Sequence, residues 1–238
     1  MRPNPFPGAD GPAGNRLLSR LPAIDLKRIG RRLDRVPLRH DVIYQQDARI
    51  HRVYFPVTGL LSVIAELQTG RALEVGTIGP EGMGGLPLYM GSSATPHRVV
   101  SQIAGISYAM SARAFAEETD RSAAFSAILR RYSFVFMFSV AQTAACNGSH
   151  GVHQRLARWL LLCHDAAQAS HFGLTQDFLA VMLGVQRPSV SLAAEALQRA
   201  GAIAYRRGRM HVVDRRRLEN ASCECYGAVR SEFDRLPS

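Results

Sequence analysis

The side chains best placed to do chemistry lie between Leu174 and Val213, in the stretch LTQDFLAVMLGVQRPSVSLAAEALQRAGAIAYRRGRMHVV. Arg187 has Gln186, Ser189 and Ser191 close beside it. A guanidinium can bridge the O6 and N7 of a guanine, and amide and hydroxyl groups can reach other base edges. Arg206, Arg207 and Arg209 form a second cluster. With Thr175, Gln176 and Ser189 they suit phosphates, which position a protein on a duplex without specifying sequence.

These groups need a scaffold, and the surrounding residues describe one. Thr175 is a candidate N-cap for a short helix whose apolar face is Phe178, Leu179 and Met182. Gly184, in Leu183-Gly184-Val185, can take the positive φ of a sharp turn. Pro188 suits the first turn of a second helix, which buries Val190, Ala193, Ala194 and Leu197 and ends at Gly201. Ala202 to Tyr205 and Met210 to Val213 alternate as two strands around the turn Arg206-Arg207-Gly208-Arg209. The pattern is a winged helix-turn-helix, with double-stranded DNA as the expected partner. A plain helical hairpin packed on something else explains neither the polar start of the second helix nor the wing arginines.

The chain has 238 residues, 47% hydrophobic and 20% charged, which allows one large domain or two ordinary ones with a sizeable core. Its 29 basic and 19 acidic residues leave a net charge of +10. Such a balance favours phosphate-rich partners, although Lys27 is the one lysine and so strong an arginine skew can also come from codon usage. No apolar run is expected to reach bilayer-spanning length and the first residues carry no apolar leader core, so a cytoplasmic protein with no membrane partner is expected.

Residues 1–15, rich in Pro, Gly and Asn, read as a mobile tail. Leu17 to Ile29 has helical spacing. From Val36 to Met110 the chain breaks into strand pieces: Val42 to Tyr44, Arg52 to Pro56, Leu60 to Glu66, Leu73 to Gly76, His97 to Ile103 and Gly105 to Met110. Turn signals at such short intervals favour a β-barrel or jelly roll over a parallel sheet. Residues 121–146 read as one long helix. Phe125, Ile128, Leu129, Tyr132, Val135, Phe136 and Ser139 recur at spacings of three and four, as on a dimerisation seam or in one subunit's core. Residues 147–151 are the expected hinge, a helix from Val152 to Ala169 follows, and Asp214 to Phe233 closes the chain as a helix of undefined role.

This order of parts resembles the cyclic AMP receptor protein/Fnr (Crp/Fnr) family of bacterial transcription regulators. The matching stretches are Gln154 to Leu161, Leu174-Thr175-Gln176, Arg187 to Ser191, and Val53-Tyr54-Phe55-Pro56-Val57-Thr58-Gly59. The resemblance implies an α+β fold: a cyclic-nucleotide-binding-like jelly roll at 16–120, a dimerisation helix at 121–146, a winged helix-turn-helix at 152–218 and an extension at 219–238. It implies a homodimer on a two-fold operator, with RNA polymerase and a small-molecule effector as further partners. In that family an arginine, a glutamate and a second arginine read bases. Arg187 matches the first, but Pro188 and Leu192 occupy the other two places.

The effector pocket implied by the resemblance falls at Gly84, Gly85, Leu86 and Arg98. The family's ribose-binding glutamate is absent from Gly84-Gly85-Leu86, and Arg98 is about three residues out of register for the cyclic phosphate, so cyclic AMP is not the expected ligand. The alternative is a constitutive DNA binder whose roll is structural or protein-binding. Cys146, Cys163, Cys223 and Cys225 lack the spacing of a zinc or iron–sulfur framework, and Cys223 and Cys225 read as unrelated thiols. Cys146, His150 and His153 would share a helical face, but Gly148 and Gly151 argue against a continuous helix there. No cofactor, metal or enzymatic activity is expected, because no catalytic constellation has convincing context.

Overall fold

The computed structural model describes residues 11–236. Pro12–Gly14 forms a 3₁₀ turn and Asn15 is fully buried, so this end of the expected tail is structured, whereas residues 1–10 lie outside the described residues. The Asn15 amide donates to the carbonyls of Pro56 and Gly82 while its oxygen accepts from the amides of Leu17 and Leu18. Two of these bonds tie the chain start to β3 and the loop after β4, and the other two fix the local turn.

Helix α1 (Ala23–Gly30) precedes β1 (Asp34–Leu38), β2 (Val42–Tyr44), β3 (Arg52–Glu66) and β4 (Ala72–Ile78). A single turn of helix, α2 (Leu86–Tyr89), leads to β5 (Arg98–Ser111). These strands make one antiparallel sheet ordered β1-β5-β3-β4, with β2 on the other half of β5. The gap expected between the strand pieces ending at Pro56 and starting at Leu60 is not a turn. β3 runs through it with register shifts, and Gly59 (φ 88°) faces Gly105 across the ladder. A Cβ on Gly105 would lie 2.3 Å from the Thr58 carbonyl oxygen, so glycine is what lets two 14- and 15-residue strands pair through an irregular stretch.

Helix α3 (Ala112–Arg121) is capped by Ser111 and α4 (Ala123–Ser149) by Ser122. Glu118 of α3 is buried and held by Arg28 at 2.8 Å and Arg32 at 3.2 Å, which fastens α1 to α3. α4 continues through Gly148 to Ser149, so the expected hinge at 147–151 shrinks to His150 and Gly151.

The seam assigned to a dimer is covered by the chain's own residues. Phe125, Ile128, Leu129, Tyr132, Val135 and Ser139 are all buried, and Phe136 packs on Gly76 of β4. The Tyr132 hydroxyl accepts from Met83 N at 3.1 Å, an approach that a Cβ on Gly82 would block. The opposite side of α4 stays outward, with Phe134 and Met137 the large apolar residues exposed on it. One 18-residue window of α4 has a mean hydropathy of 1.2, long and apolar enough by length and composition to cross a membrane, contrary to the reading that no run reaches that length. One side of the helix packs against β4, α3 and the C-terminal helix, and about a third of that window is buried.

The remainder is α5 (Val152–Ala167), β6 (His171–Gly173), α6 (Gln176–Leu183), α7 (Arg187–Arg199), β7 (Ile203–Arg206), β8 (Arg209–Val212), α8 (Arg215–Ala221) and α9 (Cys225–Asp234). The expected single terminal helix is therefore two, broken at Ser222 to Glu224. α9 returns to α4, and Val229, Phe233 and Leu236 join the cluster that holds Phe125 and Leu129. Leu156, Trp159, Leu160, Leu179, Val190, Leu197 and Met210 form the other main core.

Candidate nucleic-acid interface

Thr175 caps α6 through its hydroxyl, which accepts from Phe178 N at 3.2 Å. Gly184 ends that helix at φ 62°. A Cβ there would fall 2.6 Å from Leu73 Cδ1, so the turn rests directly on β4. α7 opens at Arg187 with Pro188 in its first turn, and Gly201 (φ 67°) follows its end. Strands β7 and β8 are joined by Arg207 (φ 50°) and Gly208 (φ 73°), the pair of positive φ angles of a type I′ turn. Leu174 N donates to Gly208 O at 2.8 Å and the Tyr205 hydroxyl to Leu174 O at 3.0 Å. The wing tip is thus fixed beside the start of α6.

This bracing brings the sequence-predicted groups onto one continuous surface. Gln176 Oε1 accepts from Ser191 Oγ at 3.1 Å and from Arg187 Nε at 3.4 Å. Asp177, which sequence reasoning did not single out, lies 3.4 Å from Arg187 Nη1 and orients the guanidinium. Arg187 remains 62% exposed, and Gln186, Arg206, Arg207 and Arg209 are exposed too. Ser189 is half-buried. Ser191 differs from expectation: its hydroxyl also bonds Arg187 O at 3.2 Å and serves the scaffold. Leu192, which stands at the place of the family's second arginine, and Glu195, which sequence reasoning did not single out, are both on the exposed side of α7, with Glu195 2.7 Å from Arg199. An exposed leucine at this place can pack on a thymine methyl, and a carboxylate can accept from cytosine N4.

The residues expected to line an effector pocket do not meet. Gly84 bridges Tyr54 near one end of β3, whereas Arg98 pairs with Ile64 near the other, roughly 30 Å away along an extended strand. Arg98 Nε is also held 2.6 Å from Glu66. Gly85 (φ 96°) precedes α2, and a Cβ on it would meet Val53 and the Tyr44 hydroxyl at 2.9 and 3.0 Å, so side chains already fill the space around this turn. Leu86 is buried.

The sheet and the helix-turn-helix unit share a buried polar contact. Trp159 Nε1 of α5 donates to Glu74 Oε1 of β4 at 2.7 Å, and Ser62 donates to the other carboxylate oxygen. Burial pushes the Glu74 carboxyl up to about 7, against the opposing effects of those two donors and the nearby Arg158 charge.

The cysteines depart furthest from the sequence reading. Cys146 in the last turn of α4, His150 at the hinge, Cys223 between α8 and α9 and Cys225 at the start of α9 converge. Cys146 Sγ is 3.5 Å from Cys223 Sγ, and Cys225 Sγ is 3.6 Å from His150 Nδ1. Cys223 and Cys225 are therefore not unrelated thiols. Spacing along the chain could not reveal the group, because 72 residues lie between His150 and Cys223. His153 is not part of it.

Residues 154–221 match the family model of the Crp-like helix-turn-helix domain. Among solved structures, FixK2 from Bradyrhizobium japonicum aligns with a TM-score of 0.66 at 19% identity, covering 80% of this chain and 98% of that one. TTHB099, a CRP-family transcriptional regulator from Thermus thermophilus, aligns at 0.63 and 21% identity, covering 79% and 96%. The c-di-GMP-responsive global regulator CLP of Xanthomonas campestris aligns at 0.60 and 16% identity, covering 81% and 100%. Among curated proteins, none matches the sequence. These alignments cover about four fifths of the chain and establish the fold.

Proposed function

We propose that this chain, a member of the Crp/Fnr family of DNA-binding transcription regulators, acts as a homodimer that reads a two-fold-related operator with the helix beginning at Arg187. The observation that carries the reading is that both groups are anchored at the start of α6: Gln176 and Asp177 hold Arg187, and Leu174 holds the wing that carries Arg206, Arg207 and Arg209. Arg187 supplies base recognition, and Arg206, Arg207 and Arg209 supply phosphate contacts. Pro188 and Leu192 in place of the family's other two readers give this protein its own operator.

The dimer forms through the outward side of α4. Ala127, Arg130, Phe134, Met137, Ala141, Ala144 and Gly148 are exposed at spacings of three and four, the a/d pattern of a two-helix seam. Large residues at one end and small ones at the other would let two copies of α4 approach most closely near the hinge. A two-fold axis along this seam sets two α7 helices against two half-sites.

A second reading has a specific observation behind it. Arg98 is engaged by Glu66 and the space around Gly85 is filled, which favours a roll that shapes the dimer and leaves DNA binding constitutive. Fluorescence anisotropy on operator DNA, with and without cyclic AMP and cyclic di-GMP, tests both readings. Salt-sensitive, sequence-dependent binding that requires Arg187 supports the first claim. An affinity unchanged by either nucleotide supports the constitutive form, and a change of tenfold or more supports a sensor.

A further inference from the structure

We propose that Cys146, His150, Cys223 and Cys225 form a closed tetrahedral zinc site that staples the α4–α5 hinge to the C-terminal extension. The four candidate ligand atoms all lie within 4.8 Å of one another. Zinc with Zn–S near 2.3 Å and Zn–N near 2.0–2.1 Å at the tetrahedral angle places its ligand atoms about 3.5–3.8 Å apart. The 3.5 Å between Cys146 and Cys223 and the 3.6 Å between Cys225 and His150 match that spacing. An iron–sulfur cluster interposes several irons and sulfides and would spread its cysteines further. Four protein ligands leave no open position, so the site is structural rather than catalytic.

The outer shell supports a metal independently of these distances. His150 turns Nδ1 toward Cys225 while its Nε2 lies 3.2 Å from Glu224 Oε1. A carboxylate on the far ring nitrogen is how proteins fix the tautomer of a metal-bound histidine. Gln142 Nε2 donates to Cys225 Sγ at 3.1 Å.

Charge points the same way. Three thiolates against a dication leave one net negative charge, and α5 presents Arg155 and Arg158, each interacting electrostatically with Cys146. Arg158 is only 7% exposed, and the Nε atoms of both arginines are buried without a hydrogen-bond partner. Each also has one guanidinium bond, Arg155 to Leu183 O and Arg158 to Thr143, but a buried and a half-buried cation beside neutral thiols are costly, whereas an anionic zinc–thiolate centre compensates them.

The location gives the site a consequence. Cys146 lies in the last turn of α4, His150 is the break, Cys223 lies between α8 and α9, and Cys225 opens α9. One ion would tie together two segments distant in sequence, 146–150 and 223–225, at the joint where the long helix meets the helix-turn-helix unit.

The test is metal analysis of the full-length protein, purified reduced and supplied with zinc, followed by cobalt substitution. The expected result is about one zinc per chain and the visible absorption of tetrahedral cobalt–thiolate coordination. His150→Cys should retain the metal, His150→Ala should lose it, and His153→Ala should not differ from wild type. Glu224→Gln should weaken zinc affinity by about 10–100-fold. Reduced protein that holds no zinc, or metal that survives the combined loss of His150 and Cys225, would overturn the proposal. So would protein that holds only a Cys146–Cys223 disulfide and takes up no metal when reduced. The cobalt spectrum of the wild type reports the ligands even where a variant is too unstable to purify, and none of these readouts depends on DNA binding.

Discussion

Trp159 Nε1 and Glu74 Oε1 meet at 2.7 Å in a buried position, joining α5 of the DNA-binding unit to β4 of the sheet. A carboxyl in that setting is most stable protonated, and its folded pKa of about 7 exceeds the ordinary carboxylate value of 4.5. Between those two pH values the folded state binds more protons than the unfolded state. Stability from this group is therefore greatest below about pH 4.5 and is lost as pH rises through about 7. The full effect is about 3 kcal/mol.

Glu74→Gln keeps an acceptor for Trp159 but cannot ionise. Thermal or urea unfolding should show this variant more stable than wild type at pH 8, by up to about 3 kcal/mol, and equal to it near pH 4.5. A pH-independent difference would show that the carboxylate is not held in a buried, high-pKa environment.

The helix-turn-helix was legible in the sequence because its signals are local: a cap at Thr175, a positive-φ turn at Gly184, Pro188 one turn later and an Arg-Gly hairpin at 207–208. The mates of α4 were not. Spacings of three and four mark an apolar face without saying what covers it, and Phe125, Leu129 and Tyr132 found partners in the sheet and α9. Apart from Phe134 and Met137, the outward stripe consists of Arg130, three alanines and one glycine, which carry little hydrophobic signal. The Cys/His group was invisible for a related reason, since only the return of α9 onto α4 closes the distance. Arg98 was misplaced because alignment through a loop says nothing about how far along a ladder a strand begins.

Arg187 and Arg207 should separate into two classes of effect. Arg187→Ala is expected to cost about 1–3 kcal/mol on operator DNA and to relax the preference for one base in each half-site. Arg207→Ala should weaken operator and random DNA alike and lower the salt slope by about one. Anisotropy titrations at several salt concentrations distinguish the two; equal losses on both DNAs for Arg187→Ala would remove it from the base-reading role.

The two sides of α4 should respond oppositely to substitution. Phe134→Glu with Met137→Glu should shift the protein to monomers in analytical ultracentrifugation with little change in the unfolding of each subunit. Leu129→Ala should cost about 2–5 kcal/mol of stability through the cavity it leaves. An intact dimer after the double charge substitution would move the interface off this stripe.

Gly105→Ala tests the close approach within the sheet. Its added methyl would press on the Thr58 carbonyl, whose backbone has little freedom to retreat. A loss of about 1–3 kcal/mol is expected from denaturant unfolding, and a neutral result would mean the β3–β5 ribbon can open there at no cost.

Selection of bound sequences from a random duplex library, run with wild type and with Arg187→Ala, tests the central claim most directly. The account predicts an inverted repeat whose half-sites lie one helical turn apart, about 10–10.5 base pairs, or a multiple of that, with a guanine in each half-site that loses its preference in the variant. No enrichment over random DNA, or a wild-type motif unchanged by loss of Arg187, would contradict it.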